Sequence, residues 1–160
     1  MRYEHLVQIN DPLMPLLDTL TRNQLWQGLV LRAEDPTQFV LGLEGATIHS
    51  HDVHDGVHEL THTLDFGSFR VDDSVRLVRD HGSEIHTRAG PTWPASRLVI
   101  TIEEPEPDLL FLRFVYESEE PAGNAELDPV IAELREQAYE RADLDTVVRI
   151  RALAAQGLLG

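Results

Sequence analysis

The last stretch of the chain restricts the fold more than any other feature. From Asp128-Pro129 to about Gln156 neither glycine nor proline interrupts the sequence. Asp-Pro is a suitable cap and first helical residue, and Gly157 a suitable terminator. The spacing predicts one helix of roughly 28 residues, about 40 Å long at ~1.5 Å per residue. Val130, Ile131, Leu134, Ala138, Leu144, Val147, Val148 and Arg151 form its expected inner stripe, with Glu133, Glu136, Glu140 and Arg141 toward water. A helix of that length with one apolar face needs a broad layer to cover.

The preceding sequence supplies that layer. Tyr3, His5, Val7 and Ile9 alternate with Glu4, Leu6, Gln8 and Asn10, the period of a half-buried strand, and Asp11-Pro12 ends it. Thr21 and Gln24 form a capping box, followed by Leu25, Trp26, Leu29, Val30 and Ala33 at helical spacing, and Pro36 closes that helix. The segment PTQFVLGLEG predicts a short second helix or turn. From Ala46 to Ser118, turn signals at His54-Asp55-Gly56, Phe66-Gly67-Ser68, Asp80-His81-Gly82, Gly90-Pro91 and Glu104 to Asp108 divide the chain into six strands. On the concave face are expected Leu60, His62, Leu64 and Phe66 of one strand and Phe69, Val71, Asp73, Val75 and Leu77 of the next. Leu98, Ile100 and Ile102, then Leu110, Leu112, Phe114 and Tyr116, occupy the same face of later strands. Arg113 and Glu117 alternate with them and are expected in cross-strand ion pairs on the convex face. The fold class is α+β, a curved antiparallel sheet of about seven strands wrapped around a long C-terminal helix. Residues 1–160 read as a single domain, the usual size for one core.

Charge limits the partners. Twenty-eight acidic against 13 basic residues give a formal net charge of -15, a field that repels nucleic acid and anionic membrane. No apolar run approaches the ~20 residues of a membrane span, and a cytoplasmic protein is expected. With no cysteine, disulfides and thiolate chemistry are excluded; any chemistry falls to His, carboxylates, hydroxyls or Arg.

Four segments carry a family resemblance: YEHLVQINDPL, LTRNQLWQGLVLRAEDPTQFV, LVITIEEPEPDLLFLRFVYE and ADLDTVVRIRALAAQG. With them, the chain resembles the AtaL-like proteins of the superfamily that includes START domains, the birch-pollen allergen and polyketide cyclases (SRPBCC). The resemblance implies the helix-grip fold and a cavity between sheet and helix for hydrophobic or amphipathic small molecules. It supplies no catalytic residue set, and the stretch from His49 to His62 lies outside it.

Within such a cavity the residues predict a lining of Trp26, Leu60, His62, Leu64, Val71, Asp73, Val75, Ile100, Leu112, Phe114, Tyr116 and Leu134. His62 and Asp73 stand between apolar neighbours at two-residue spacing, which places an imidazole and a carboxylate inside an apolar space. They are acid–base candidates, or they satisfy one another and orient a ligand. Trp26 reads as a core anchor or a pocket wall, and Trp93, between two prolines, as an exposed aromatic. The segment HSHDVHDGVHELTH suggests metal ligands, His49, His51 and His58 first, but lacks the spacing of any established zinc motif; a solvated polar hairpin is the preferred reading and no cofactor is expected. The leading function is small-molecule binding. The alternatives are a cyclase, dehydratase or isomerase using the same cavity, and an interaction protein with a filled interior, with a homodimer left open.

Overall fold

The computed structural model describes residues 1–119 and 129–160, so the expected cap Asp128 lies outside the described residues. Strand β1 (Arg2–Gln8) leads to helix α1 (Arg22–Glu34) and a 3₁₀ turn (Pro36–Gln38). Six strands follow, β2 (Gly45–His54), β3 (Val57–Asp65), β4 (Arg70–Val78), β5 (Gly82–Thr87), β6 (Ser96–Glu106) and β7 (Leu109–Ser118), and then helix α2 (Pro129–Ala155). All seven strands form one antiparallel sheet in the order β1-β7-β6-β5-β4-β3-β2. The architecture is the curved-sheet, long-helix arrangement expected from the sequence.

Local chemistry explains the boundaries. The Thr21 side chain accepts from the Gln24 amide while the Gln24 side chain accepts from the Thr21 amide, which satisfies two donors that the first turn of α1 leaves free. Asp55 and Gly56 both have positive φ, 50° and 76°, the conformation that a tight β2–β3 turn requires. At the end of α2, Gly157 takes φ 72°, its amide bonds to Ala154 and that of Leu158 to Leu153, a paired closure of the last carbonyls.

The register arranges the inner face in rows across the sheet. One row runs His62, Asp73, Thr87, Ser96, Ser118. The next runs Leu60, Val75, Ile85, Leu98, Tyr116, Tyr3. Beyond it come His58, Leu77, Ser83, Ile100, Phe114 and His5. Ile102, Leu112 and Val7 follow on the last three strands. The first row is polar, the second largely apolar, the third carries His58, Ser83 and His5 among apolar neighbours, and the last is wholly apolar. The apolar end joins Leu25 and Leu29 of α1 and Val147, Ile150 and Leu153 of α2 in one buried cluster. Gly28 lets the two helices approach: a Cβ there would lie 2.7 Å from Ile150 Cγ1.

The expected face of α2 needs correction. Leu134 is 59% exposed, and Val130, Ile131, Leu144 and Val148 are exposed as well. The buried residues of α2 are Asp143, Thr146, Val147, Ile150 and Leu153. With half-buried Ala132, Arg135 and Tyr139 they continue one helical stripe. Hydrophobicity pointed about one residue away from this face because two of its central positions are polar. Both are satisfied: Thr146 donates to the Ala142 carbonyl, and Asp143 accepts from side chains of β7 and β1.

Candidate functional site

A cavity of about 250 Å³ opens where the polar row of the sheet faces the last turn of α1 and the first half of α2. This is just under the ~300 Å³ at which small-molecule sites begin, and more than the roughly 150 Å³ that holds a benzene ring. His62, Leu64, Asp73, Val75, Ile100 and Tyr116 line it, joined by Arg32 of α1 and Tyr139 of α2.

The other residues expected on this wall lie elsewhere. Leu60, Leu112 and Phe114 belong to the buried apolar cluster on the same face of the sheet and do not reach the cavity lining. Trp26 lies outside the cavity lining, 6% exposed in the buried core, with its ring edge-on to His58. Val71 pairs with Leu64 beyond the polar row and is half-buried outside the cavity. Leu134 faces away for the reason given above. Trp93 is half-buried, packs its ring near Phe69 and donates its indole N–H to the Arg88 carbonyl.

His62 and Asp73 are directly opposite in the β3–β4 register, 4% and 7% exposed, with His62 Nε2 2.9 Å from Asp73 Oδ2. The other Asp73 oxygen accepts from Thr87 Oγ1 at 2.7 Å. His62 Nδ1 lies 3.2 Å from the Ala33 carbonyl, one of the orphan acceptors of the last turn of α1. A carbonyl can only accept, so Nδ1 carries a proton; the Nε2–Asp73 contact then needs a second proton on the ring or one on the carboxyl. Either way the pair is electrically neutral as a unit.

A second carboxylate sits behind the opposite wall. Asp143, 1% exposed, accepts from the Tyr116 hydroxyl and lies 3.0 Å from His5 Nδ1. Burial pushes the Asp143 carboxyl up, against the lowering effect of its bonds to Tyr116 and His5. Burial, then the Asp143 charge, pushes the Tyr116 hydroxyl far above its ordinary value. Tyr116 is therefore a fixed donor, held further by ring stacking on Tyr139 at 3.9 Å between centroids.

Arg32 stands between these two groups. Burial lowers the guanidinium, while Tyr116, Asp143 and Asp73 raise it through their charges. Part of the residue reaches solvent, but its Nε is out of reach of water and without a partner. Each oxygen of Asp73 and of Asp143 already has a side-chain partner, and none of these partners is Arg32. Arg97 also lines the cavity with an Nε that makes no hydrogen bond, but it is ion-paired with Glu84, whereas among the described residues Arg32 has neither a hydrogen-bonded acceptor nor an ion-pair partner, and it faces the open space.

Arg32, Asp143, His5 and Tyr139 were not among the expected site residues. The signal for two of them was present. Arg32 continues the Leu25, Leu29 spacing of α1, and Asp143 precedes Val147, Ile150 and Leu153 on their own face. A charged residue on a buried stripe marks a polar site.

The histidine segment divides. A bulge between Ile48 and Ser50 turns His49 to the outer side, where Nε2 meets Thr63 Oγ1 at 2.6 Å. His51 and His58 stay on the inner side, with His51 Nε2 3.1 Å from His58 Nδ1.

Residues 7–157 match the family described as acetylaranotin biosynthesis cluster protein L, AtaL. The chain belongs to the AtaL family. A search of curated proteins finds no significant match. Among solved structures it is similar to the di-domain aromatase/cyclase StfQ of the steffimycin pathway, with a TM-score of 0.66 and 7% identity over 97% of this chain and 50% of that one. The chain thus spans about half of StfQ. It is also similar to Ara h 8.0201, with a TM-score of 0.59 and 8% identity over 98% of both chains. Zhui aromatase/cyclase from Streptomyces sp. R1128 gives 0.52 and 16% over 98% of this chain and 94% of that one. These likenesses establish the fold. No helix among the described residues is long and apolar enough to cross a membrane.

Proposed function

We propose that this AtaL-family protein binds a small molecule with an apolar body and an acidic head, the body between sheet and α2 and the head on Arg32. The observation that carries this reading is the unpaired Arg32 guanidinium facing an open, largely apolar cavity. A guanidinium N–H held out of water without an acceptor is costly, and a carboxylate, enolate or phenolate would relieve it with paired N–H···O bonds. Tyr116 and the His62–Asp73 pair flank that position and would set the orientation of the bound molecule. The family name refers to a biosynthetic cluster and two of the structural neighbours are aromatase/cyclases, which supports a metabolite as the occupant.

Native mass spectrometry of tag-free protein from its own host is expected to show a retained acidic small molecule, lost in Arg32→Met. An empty wild-type protein, or retention unchanged in Arg32→Met, contradicts the reading.

A catalytic role is the second reading, favoured by the buried His62–Asp73 contact on the cavity wall. Both His62 nitrogens are engaged, so proton transfer to a ligand would require one of those bonds to open. Under this reading His62→Gln abolishes turnover of the retained molecule while its binding persists; turnover unaffected by His62→Gln leaves the pair as polar lining.

A further inference from the structure

We propose that Glu34, His51 and His58 form a binding site for a borderline divalent cation such as Zn²⁺, Co²⁺ or Ni²⁺, separate from the cavity. The three side chains come from three elements: the last residue of α1, β2 and β3. One ligand atom of each lies within 4.8 Å of the other two. His51 Nε2 and His58 Nδ1 are 3.1 Å apart, and His51 Nε2 and Glu34 Oε1 4.0 Å. Bonds of ~2.0–2.1 Å at tetrahedral angles separate donor atoms by about 3.4 Å, so the imidazoles are near coordinating distance and a rotation of the Glu34 carboxylate closes the third contact.

The local structure makes this arrangement more than a count of histidines. His51 is paired with Leu60, two residues beyond His58, so the two imidazoles are diagonal neighbours on one face of the hairpin. The bulge that removes His49 leaves this pair intact. Trp26 fixes His58 from the side, its ring edge-on at 5.8 Å and 70°. Two imidazoles and one carboxylate suit zinc and its neighbours, whereas Mg²⁺ and Ca²⁺ prefer oxygen throughout. Glu34 and the pair are partly open to water, which leaves room for a solvent ligand. The cation would staple the β2–β3 hairpin to the end of α1, one residue beyond the Ala33 carbonyl that holds His62.

Titration of tag-free, chelator-treated protein with Zn²⁺ by calorimetry, and with Co²⁺ by visible absorption, is the test. Expected are one equivalent bound with a dissociation constant on the order of 10 μM, a Co²⁺ spectrum with nitrogen ligands, and a rise in melting temperature with added Zn²⁺. His58→Ala and Glu34→Gln should each weaken binding at least about tenfold, and His49→Ala and His54→Ala should not. A dissociation constant weaker than about 100 μM, or an equal loss in His49→Ala, overturns the proposal. Unchanged affinity in both His58→Ala and Glu34→Gln overturns it too, since the cation would then be held elsewhere.

Discussion

Arg151 and Arg32 reach into the layer between the sheet and the helices from α2 and α1. Arg151 donates to the carbonyls of Asp18 and Ile9 and ties the loop after β1 to the C-terminal end of α2. Arg32 has no such acceptor. Their surroundings differ in the same sense. Around the second half of α2, Val147, Ile150 and Leu153 meet Leu25, Leu29 and Leu112 in a closely packed cluster. Around its first half, apolar side chains point to water, and the inner face offers Tyr139 and Asp143 to Tyr3, His5 and Tyr116 of the sheet. One region is built for stability. The other keeps space, charge and polar groups that stability alone would remove.

The largest expected effect belongs to the packed region. Ile150→Ala removes a fully buried side chain wedged over Gly28 and should cost about 2–5 kcal/mol in chemical denaturation; a cost below ~1 kcal/mol would erase the contrast. Asp143→Ala should cost less, about 1–3 kcal/mol, by leaving the Tyr116 hydroxyl and His5 without their acceptor.

The same carboxylate makes a pH prediction with a definite sign. Its folded value lies above the ordinary 3.8, so over that window the folded chain holds a proton the unfolded chain has lost. The Asp143 contribution to stability therefore grows as pH falls through the folded value toward 3.8 and shrinks as pH rises. Urea denaturation of wild type against Asp143→Asn across acidic pH should show this difference in slope, and parallel profiles would contradict it.

Smaller effects sharpen the comparison from the open side. Arg32→Met replaces an unpaired cation with an apolar chain, so stability should hold or rise by about 1 kcal/mol. A loss above ~2 kcal/mol would mean that Arg32 is a structural residue. Leu134→Ser should change stability by less than about 0.5 kcal/mol, because Leu134 is exposed despite its place in the apolar pattern.

Elements with strict local chemistry were legible in the sequence. The Thr21–Gln24 capping box, the Asp55-Gly56 turn, the strand alternation and the Gly157 terminator all rest on contacts within a few residues of one another. The strand period also set His62 and Asp73 on the inner face, since a period of two leaves no other choice. What failed depended on partners far along the chain. Asp143 resembles a solvent-facing residue until Tyr116 and His5 are seen beside it, and that concealment moved the expected face of α2 onto Leu134. His49 and His51 have the spacing of strand neighbours, yet a one-residue bulge separates them. Leu60, Leu112 and Phe114 face inward as expected, but the extent of packing beside the cavity depends on how the helices settle, which alternation does not encode.

Calorimetric titration with naphthoic acid and with its uncharged amide tests the central claim most directly, because the two share an apolar body and differ in the group that would meet Arg32. The account predicts that the wild-type protein prefers the acid by at least about tenfold and that Arg32→Met binds both alike. Equal binding of acid and amide by the wild type, or a preference that survives in Arg32→Met, would contradict it.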